Sequence, residues 1–410
     1  MSVRRIVGTV AFAGALVLGT VALASSAATS AARPAASVAA AAGPTSLPAS
    51  QYTLTANYHQ NDALNAALTK TLGTASVSTV MAHANLDRTA ITDSLGVAGY
   101  AGGFKWTSDD NKSCTNYPQG ITTSRDAEGD AKGGTYDGHQ LILVSWYTKD
   151  SCSGAQSRSR ITLVDWDADY PNMYRKILLV EPTGTAAAPS FKDIPIHAGG
   201  VSWYGDYLYV ADTGHGMRVF NMKDILKTST AGTAAQIGRQ SNGKYYAHNY
   251  AYVLPQVGMI TARTTSGTAL SWSSISLDRV SGSIVMAEYT CKSGCTSYPN
   301  RASRAIRFPF PSGATTFAAS TTATQALKLP WYNINGVASH NGRWWFNSSG
   351  AKKLYYWAPA TGSHTYGWVS GGESISYWEA AGSAPDLLWS LQETIGHRNV
   401  FAVKQASYGP

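Results

Sequence analysis

The sequence predicts an all-β fold of the propeller class, and three observations carry that expectation. One phrase recurs five times: a Gly- or Ser-led strand start, a short turn, a β run rich in Val, Leu and aromatics, a variable loop and a further β run. From Leu95 onward Gly, Ser, Thr, Tyr, Trp and Val dominate, with no helical run longer than about two turns. The second strands, centred on Val144, Val210, Met286, Phe346 and Leu391, are unevenly spaced. Uneven spacing argues against a regular solenoid and suits a closed ring with insertions on its faces.

Taken in order, the chain opens with Arg4 and Arg5 ahead of an apolar run over residues 6–24 that ends in small residues. This reads as a signal peptide over residues 1–27 and places the protein outside the cell. Residues 28–50, almost all Ala, Ser, Thr and Pro, read as a disordered linker. Over residues 51–94 the pattern turns helical, with Asn61 or Asp62 positioned as a cap and Leu64, Leu68 and Leu72 forming an apolar stripe. That stripe is expected to dock on the body.

Residues 95–410 form the propeller. Its five copies begin at Gln119, Ala198, Ser274, Asn335 and Glu373. Five blades are expected, and six if residues 95–120 or 241–265 hide another. The final copy, ending near Asn399–Lys404, lacks an outermost strand, and residues 95–100 are placed to supply it and close the ring.

A formal charge of +8 without a basic run excludes nucleic acid as the natural partner and leaves an extracellular glycan or cell-wall polymer. Beyond the signal no segment spans a membrane, and a monomer is expected. Cys114, Cys152, Cys291 and Cys295 suit an oxidising compartment and read as two disulfides, Cys114 with Cys152 and Cys291 with Cys295. A metal site on the C-x3-C turn is the weaker alternative.

In a propeller the inner strands begin around a central channel. The residues at those starts are Gln119, Gly199, Ser273, Asn335 and Glu373, with His197 beside the second. Their oxygens and nitrogens suit a sugar hydroxyl or a hard cation such as calcium, with Glu373, Asn335 and Gln119 as the metal candidates. The alternative is that they satisfy strand-end backbone groups.

Leu208-Tyr-Val-Ala-Asp-Thr running on to Met217-Arg-Val-Phe resembles a blade of NHL-type and lactonase-like propellers. The match covers about one blade strongly. It implies a propeller, in a group containing hydrolases, lyases and binding modules. Its metal-using members hold a channel cation with Glu, Asn and Asp side chains, roles that Glu373 and Asn335 match, although the ring offers no evident Asp.

For catalysis, His248 with Tyr246, and His197 on the channel side, suit the base and acid of a β-elimination. Asp212, Glu288, Glu373 and Glu393 are the strand-end acids a glycoside hydrolase would draw on. Walker, nucleophile-elbow, HExxH and dinucleotide motifs are missing. Among twelve Trp and twenty-three Tyr, Trp146, Trp203, Tyr204, Trp331 and Trp378 are expected to form stacking platforms for sugar rings. The function expected is a secreted propeller that binds extracellular polysaccharide through an aromatic and polar face. A polysaccharide lyase or glycoside hydrolase is the alternative, and a structural or protein-interaction propeller the second.

Overall fold

Period-two burial sets the strand structure. In Lys353–Ala358 every second side chain, Leu354, Tyr356 and Ala358, is buried, as a strand covered on one face requires. Strands near the centre, such as Trp272–Asp278 and Ser283–Glu288, are buried along their whole length because neighbours cover both faces.

The structure is a computed structural model and describes residues 42–129, 133–167, 173–296, 299–380 and 382–410. The signal segment and most of the linker read from the sequence lie outside them. Among the described residues the body traces five four-stranded antiparallel meanders. The first is Asn116–Thr123, Leu141–Lys149, Gln156–Asp165 and Met173–Thr185. The second is Val201–Tyr204, Tyr207–Asp212, Gly216–Asn221 and Tyr252–Thr264. The third is Trp272–Asp278, Ser283–Glu288, Arg304–Pro309 and Gln325–Lys328. The fourth is Ile334–His340, Arg343–Ser348, Lys353–Ala358 and Gly362–Gly367. The fifth is Gly372–Trp378, Leu387–Gln392 and Asn399–Lys404, completed by Tyr100–Lys105.

The first strand of each meander packs on the first strand of the next, and the fifth returns to the first. This closed ring is a propeller. Each junction has its own core. Leu143, Ile161, Trp203 and Val210 fill the one between the first and second meanders, and Phe104, Val144, Trp389 and Val400 the one between the fifth and first.

Closure from the N-terminal side occurs as the incomplete fifth repeat implied, but with a different segment. Gly103 faces Phe401 and Lys105 faces Asn399. The expected residues 95–100 cannot supply an extended strand because Gly96 and Gly99 sit at φ 64° and 62°. Leu95 and Val97 instead pack onto the junction of the fourth and fifth meanders.

Residues ahead of the closing strand are woven into the outer edges. Thr45–Ser46 pairs with Leu327 and Lys328, inside the stretch read as linker. Tyr52–Asn57 is a strand on Tyr252–Thr264, ahead of the predicted helix. Helix α1, Asp62–Leu72, buries Leu68 against Leu178, Val180 and Phe191, with Leu72 at the margin. Asn61 precedes it without capping it, since its Nδ2 donates to the Gln256 carbonyl at 3.0 Å. A short second helix, α2, Val77–Ala82, is capped by Ser76, whose Oγ accepts from Thr79 N. Residues 241–265, where a sixth repeat had room, instead pair Ile237–Arg239 with Tyr245–Ala247 and form the long strand Tyr252–Thr264. That strand also runs parallel to Leu178–Val180, joining two meanders at their rims. Both disulfides form in the expected pairing. Among the described residues no helix is long and apolar enough to cross a membrane.

Phe104→Ala removes a fully buried ring from the closing junction and is expected to cost about 3–5 kcal/mol in denaturant unfolding. Tyr100→Ala on the same strand, where the side chain is 49% exposed, is expected to stay within about 0.5 kcal/mol.

Candidate functional site

Four meanders share one irregularity at the channel. Register slips between Pro118 and Ile121, between Trp272 and Ser274, between Ile334 and Gly336, and between Gly372 and Ile375, each time at the start of the inner strand. The residues left unpaired include Gln119, Ser273, Asn335 and Glu373. A β-bulge inserts an unpaired residue and re-aims its side chain. Four bulges in register around a ring therefore point four side chains at one place. Among the described residues the inner strand of the second meander pairs without such a slip, and just before it Ala198 adopts φ 53°, a left-handed value uncommon outside glycine, beside His197.

These residues line a cavity of about 350 Å3. A second tier surrounds it: Tyr147, near the end of the first meander's second strand, and Thr213, Tyr289, Ser349 and Glu393, each just beyond the end of its meander's second strand. Antiparallel pairing explains this, because the start of one strand lies beside the end of the next.

Polar contacts cross the ring. Gln119 Nε2 donates to Glu393 Oε2 at 2.7 Å, and Asn335 Nδ2 donates to Glu373 Oε1 at 2.6 Å. Asn335 Oδ1 is buried with no hydrogen-bond partner. Burial pushes the Glu373 carboxyl well above its usual range, and the charge of Glu393 adds to the shift. Glu393 is also raised by burial, against the opposing pull of Gln119. His197 is bonded through Nδ1 to Gln156 Nε2 at 2.9 Å and stacks on Tyr147 at 4.9 Å between ring centroids. Burial, with Lys149 nearby, lowers it to about 4, so its imidazole is neutral across the physiological range.

The structure thus brings Gln119, His197, Asn335 and Glu373 together, and separates the other candidates from them. His248 lines a different cavity with Arg160, Arg175 and Lys176, held between Asp193 at 2.9 Å and the Ala234 carbonyl at 2.6 Å. Tyr246 is buried and accepts from Asn242. Glu288 is enclosed by the guanidinium groups of Arg301 and Arg304 at 2.6–2.8 Å, and Asp212 pairs with Arg218 and His215. Both acids are committed to structural ion pairs, which removes them as free carboxylates for a hydrolase.

The expected aromatic platform does not assemble. Trp146 and Trp203 are fully buried, against Trp106 and Tyr136 respectively, and Trp331 is stacked on Tyr355 at 4.4 Å. Tyr204 lies against Phe310, and Trp378 borders the closing core. Their positions fill the junctions between meanders. The aromatic groups at the cavity are Tyr147, Trp272 and Tyr289. Sequence reading missed Tyr147 and Gln156; aligning the ends of the second strands, rather than only the starts of the first, would have found the Tyr.

No family model and no curated sequence matches the chain. Solved structures are similar at low score. A glutaminyl cyclase from Myxococcus xanthus is 12% identical over 71% of this chain and 92% of its own, with a TM-score of 0.32. A GH43_1 enzyme from Xanthomonas citri complexed with xylotriose is 7% identical over 84% and 93%, at 0.33. A catalytically inactive virginiamycin B lyase from Staphylococcus aureus with quinupristin is 12% identical over 73% and 98%, at 0.32. At this level none bears on function, which rests on the residues.

The raised Glu373 carboxyl has a measurable consequence. An acid whose folded pKa lies above its unfolded value, here 4.5, contributes stability that is complete at low pH and lost as pH rises toward the folded pKa. Glu373→Gln keeps the acceptor for Asn335 and abolishes that loss. In chelator-treated buffer the variant should match the wild type near pH 4. It should then gain on it as pH rises, by at most about 1.4 kcal/mol per unit, read from denaturation midpoints.

Proposed function

We propose that this is a secreted propeller whose channel cavity binds a sugar unit of an extracellular polysaccharide. The observation that carries the reading is the bulge-aimed ring: Gln119, Asn335 and Glu373, with Glu393, Gln156 and His197, present amide, carboxyl and imidazole groups to one space. Its volume of about 350 Å3 falls within the roughly 300–1,000 Å3 of small-ligand pockets. Sugar hydroxyls both donate and accept, and a ring mixing carboxyl oxygens with amide nitrogens answers both. Tyr147, Trp272 and Tyr289 add apolar faces beside them. The two disulfides agree with an oxidising destination.

One observation favours glycoside hydrolysis as the second reading. Glu373 and Glu393 face the same cavity, and burial holds the former protonated beyond the ordinary carboxyl range, as a general acid requires. The lyase reading is weaker, since His248 and Tyr246 stand apart from His197.

The donor chemistry also fits a hard divalent cation such as calcium. Asn335 Oδ1, without a partner, and the carboxyl groups of Glu373 and Glu393 would hold it, with Gln119 beside them. Bound there, it would supply a fixed positive charge for hydroxyl oxygens.

Retention on a panel of plant, algal and microbial polysaccharides, with and without chelator, tests the reading. At least one polymer should retain the protein, and Asn335→Ala should weaken binding roughly tenfold or more, about 1.4 kcal/mol. Mass spectrometry of soluble products separates the two versions: saturated oligosaccharides that vanish in Glu373→Gln establish hydrolysis, whereas retention without products establishes binding alone. Neither retention nor products on any polymer would overturn both.

A further inference from the structure

Away from the channel, where the outermost strands of the first and second meanders run side by side, a cavity of about 230 Å3 gathers cations. Arg160, Arg175 and Lys176 line it from the first meander's third and fourth strands, and His248, Asn249 and Tyr250 from the segment ahead of Tyr252–Thr264. One carboxylate serves two of the cations. Arg160 Nη2 donates to Asp110 Oδ1 at 3.1 Å, and Lys176 Nζ donates to the same atom at 2.7 Å. Against the burial of Asp110, their charges hold its carboxyl down to about 2. Arg175 pairs with no carboxylate among the described residues. Its Nη1 donates to the His83 carbonyl at 3.0 Å, and its guanidinium lies over the Tyr252 ring at 5.4 Å.

His248 adds a fourth cation. Its Nδ1 lies 2.6 Å from the Ala234 carbonyl and its Nε2 2.9 Å from Asp193 Oδ2. Both partners only accept, so both ring nitrogens carry hydrogen, and the bond to Asp193 raises the imidazole against its burial. Four cations thus meet two carboxylates in contact, Asp110 and Asp193, and an excess remains when the exposed Asp109 near Lys176 is counted. Burial, and then repulsion from Arg160, lowers the Lys176 ammonium to about 8, a charge cost that a bound anion would relieve. Donors are in excess as well. The Tyr250 hydroxyl accepts from Arg160 Nη1 at 3.1 Å, which leaves its own proton for another acceptor. The Asn249 amide bonds to no other described residue. His248 and Asn249 follow one another at φ 49° and 66°, a strained pair outside glycine, and their turn borders the cavity.

We propose that this cavity binds an oxyanion group carried by a sugar, the carboxylate of a uronic acid or a sulfate ester, with Arg175, Lys176, Asn249 and Tyr250 as its donors. A guanidinium presents paired N–H groups that match two oxygens of such an anion, and the ammonium adds a compact charge. At about 230 Å3 the cavity falls below the roughly 300 Å3 at which pockets take a whole small ligand, so it suits a charged group better than a complete sugar ring. It shares no lining residue with the channel. The sugar as carrier rests on the polysaccharide reading of the channel, and the two sites together make the polymer an acidic one.

Isothermal titration of the full-length protein at low ionic strength with sodium glucuronate and with sodium sulfate tests the site and tells the two anions apart. Retention on polygalacturonate, dextran sulfate and uncharged dextran tests the carrier. At least one anion should bind, and Arg175→Gln should weaken that binding roughly tenfold or more with circular dichroism unchanged. Asn249→Gly removes an amide while suiting the left-handed backbone, so the fold is kept and affinity should fall roughly threefold. Asn335→Ala, in the channel, should leave anion binding intact. One acidic polymer should retain the wild type more strongly than dextran does, and Arg175→Gln should erase that preference. Anion binding that is lost in Arg175→Gln and kept in Asn335→Ala supports the site even where no polymer is retained, which separates its fate from that of the channel reading. No binding of either anion, or undiminished affinity in Arg175→Gln, overturns the site, and equal retention on dextran overturns the acidic polymer.

Discussion

Close approach of the five inner strands is the constraint on which the rest of the molecule depends. A Cβ on Gly200 would lie 2.2 Å from Ile275 N, and one on Gly120 2.7 Å from Val201 N. Only glycine allows these strands to meet so tightly. At that distance the strands of neighbouring meanders are linked by short polar side chains. Val337 N donates to Ser274 Oγ at 3.1 Å, Trp203 N to Thr122 Oγ1 at 3.2 Å, and Asn347 Nδ2 to the Glu373 carbonyl at 2.8 Å. The Ser and Thr content of the inner strands is thus a hydrogen-bonding requirement, since buried backbone groups there have no ladder partner on the adjacent sheet. Tight convergence also leaves no room for regular pairing to continue to the rim, and the bulges appear where the strands enter it.

Two kinds of buried acid follow. Glu288 and Asp278 are matched by arginine, with Arg307 Nη1 donating to Asp278 Oδ2 at 2.7 Å, and they tie strands together. Glu373 and Glu393 are matched by neutral amides and share a cavity. An amide donates one hydrogen bond without supplying a charge, so burial raises the Glu373 carboxyl, and Arg398 and Lys149 only partly offset the burial of Glu393. Stability alone does not select that choice.

Much of this was legible in the sequence. The repeat marks every inner strand and its partner, because alternation and flanking Gly leave a direct imprint, and the positions before each Gly-Ile or Gly-Val step identify the channel ring. What escaped was contact across long separations. The acids at the strand ends all look alike in sequence. Whether one meets Arg304 or Gln119 depends on residues brought from another strand or another meander. The aromatic platform failed for a related reason, since Trp146 and Trp203 carry no sign of which face will be covered by the next sheet. The closing strand was misplaced by a few residues because Gly96 and Gly99 look extended in a Gly-Val-Ala-Gly run, whereas their backbone turns left-handed.

Joining Tyr100–Lys105 to Asn399–Lys404 also governs how the molecule is made. The two strands are roughly 300 residues apart, so the last junction forms only after nearly the whole body has been synthesised. Until then the ring is an open crescent with two unpaired sheet edges and one uncovered apolar junction, the condition in which all-β chains fold slowly and associate wrongly. Completion is in turn all or none, because one strand both ends the fifth sheet and seals the core beside the first. A partly made chain therefore lacks the packed junction that holds the finished ring together.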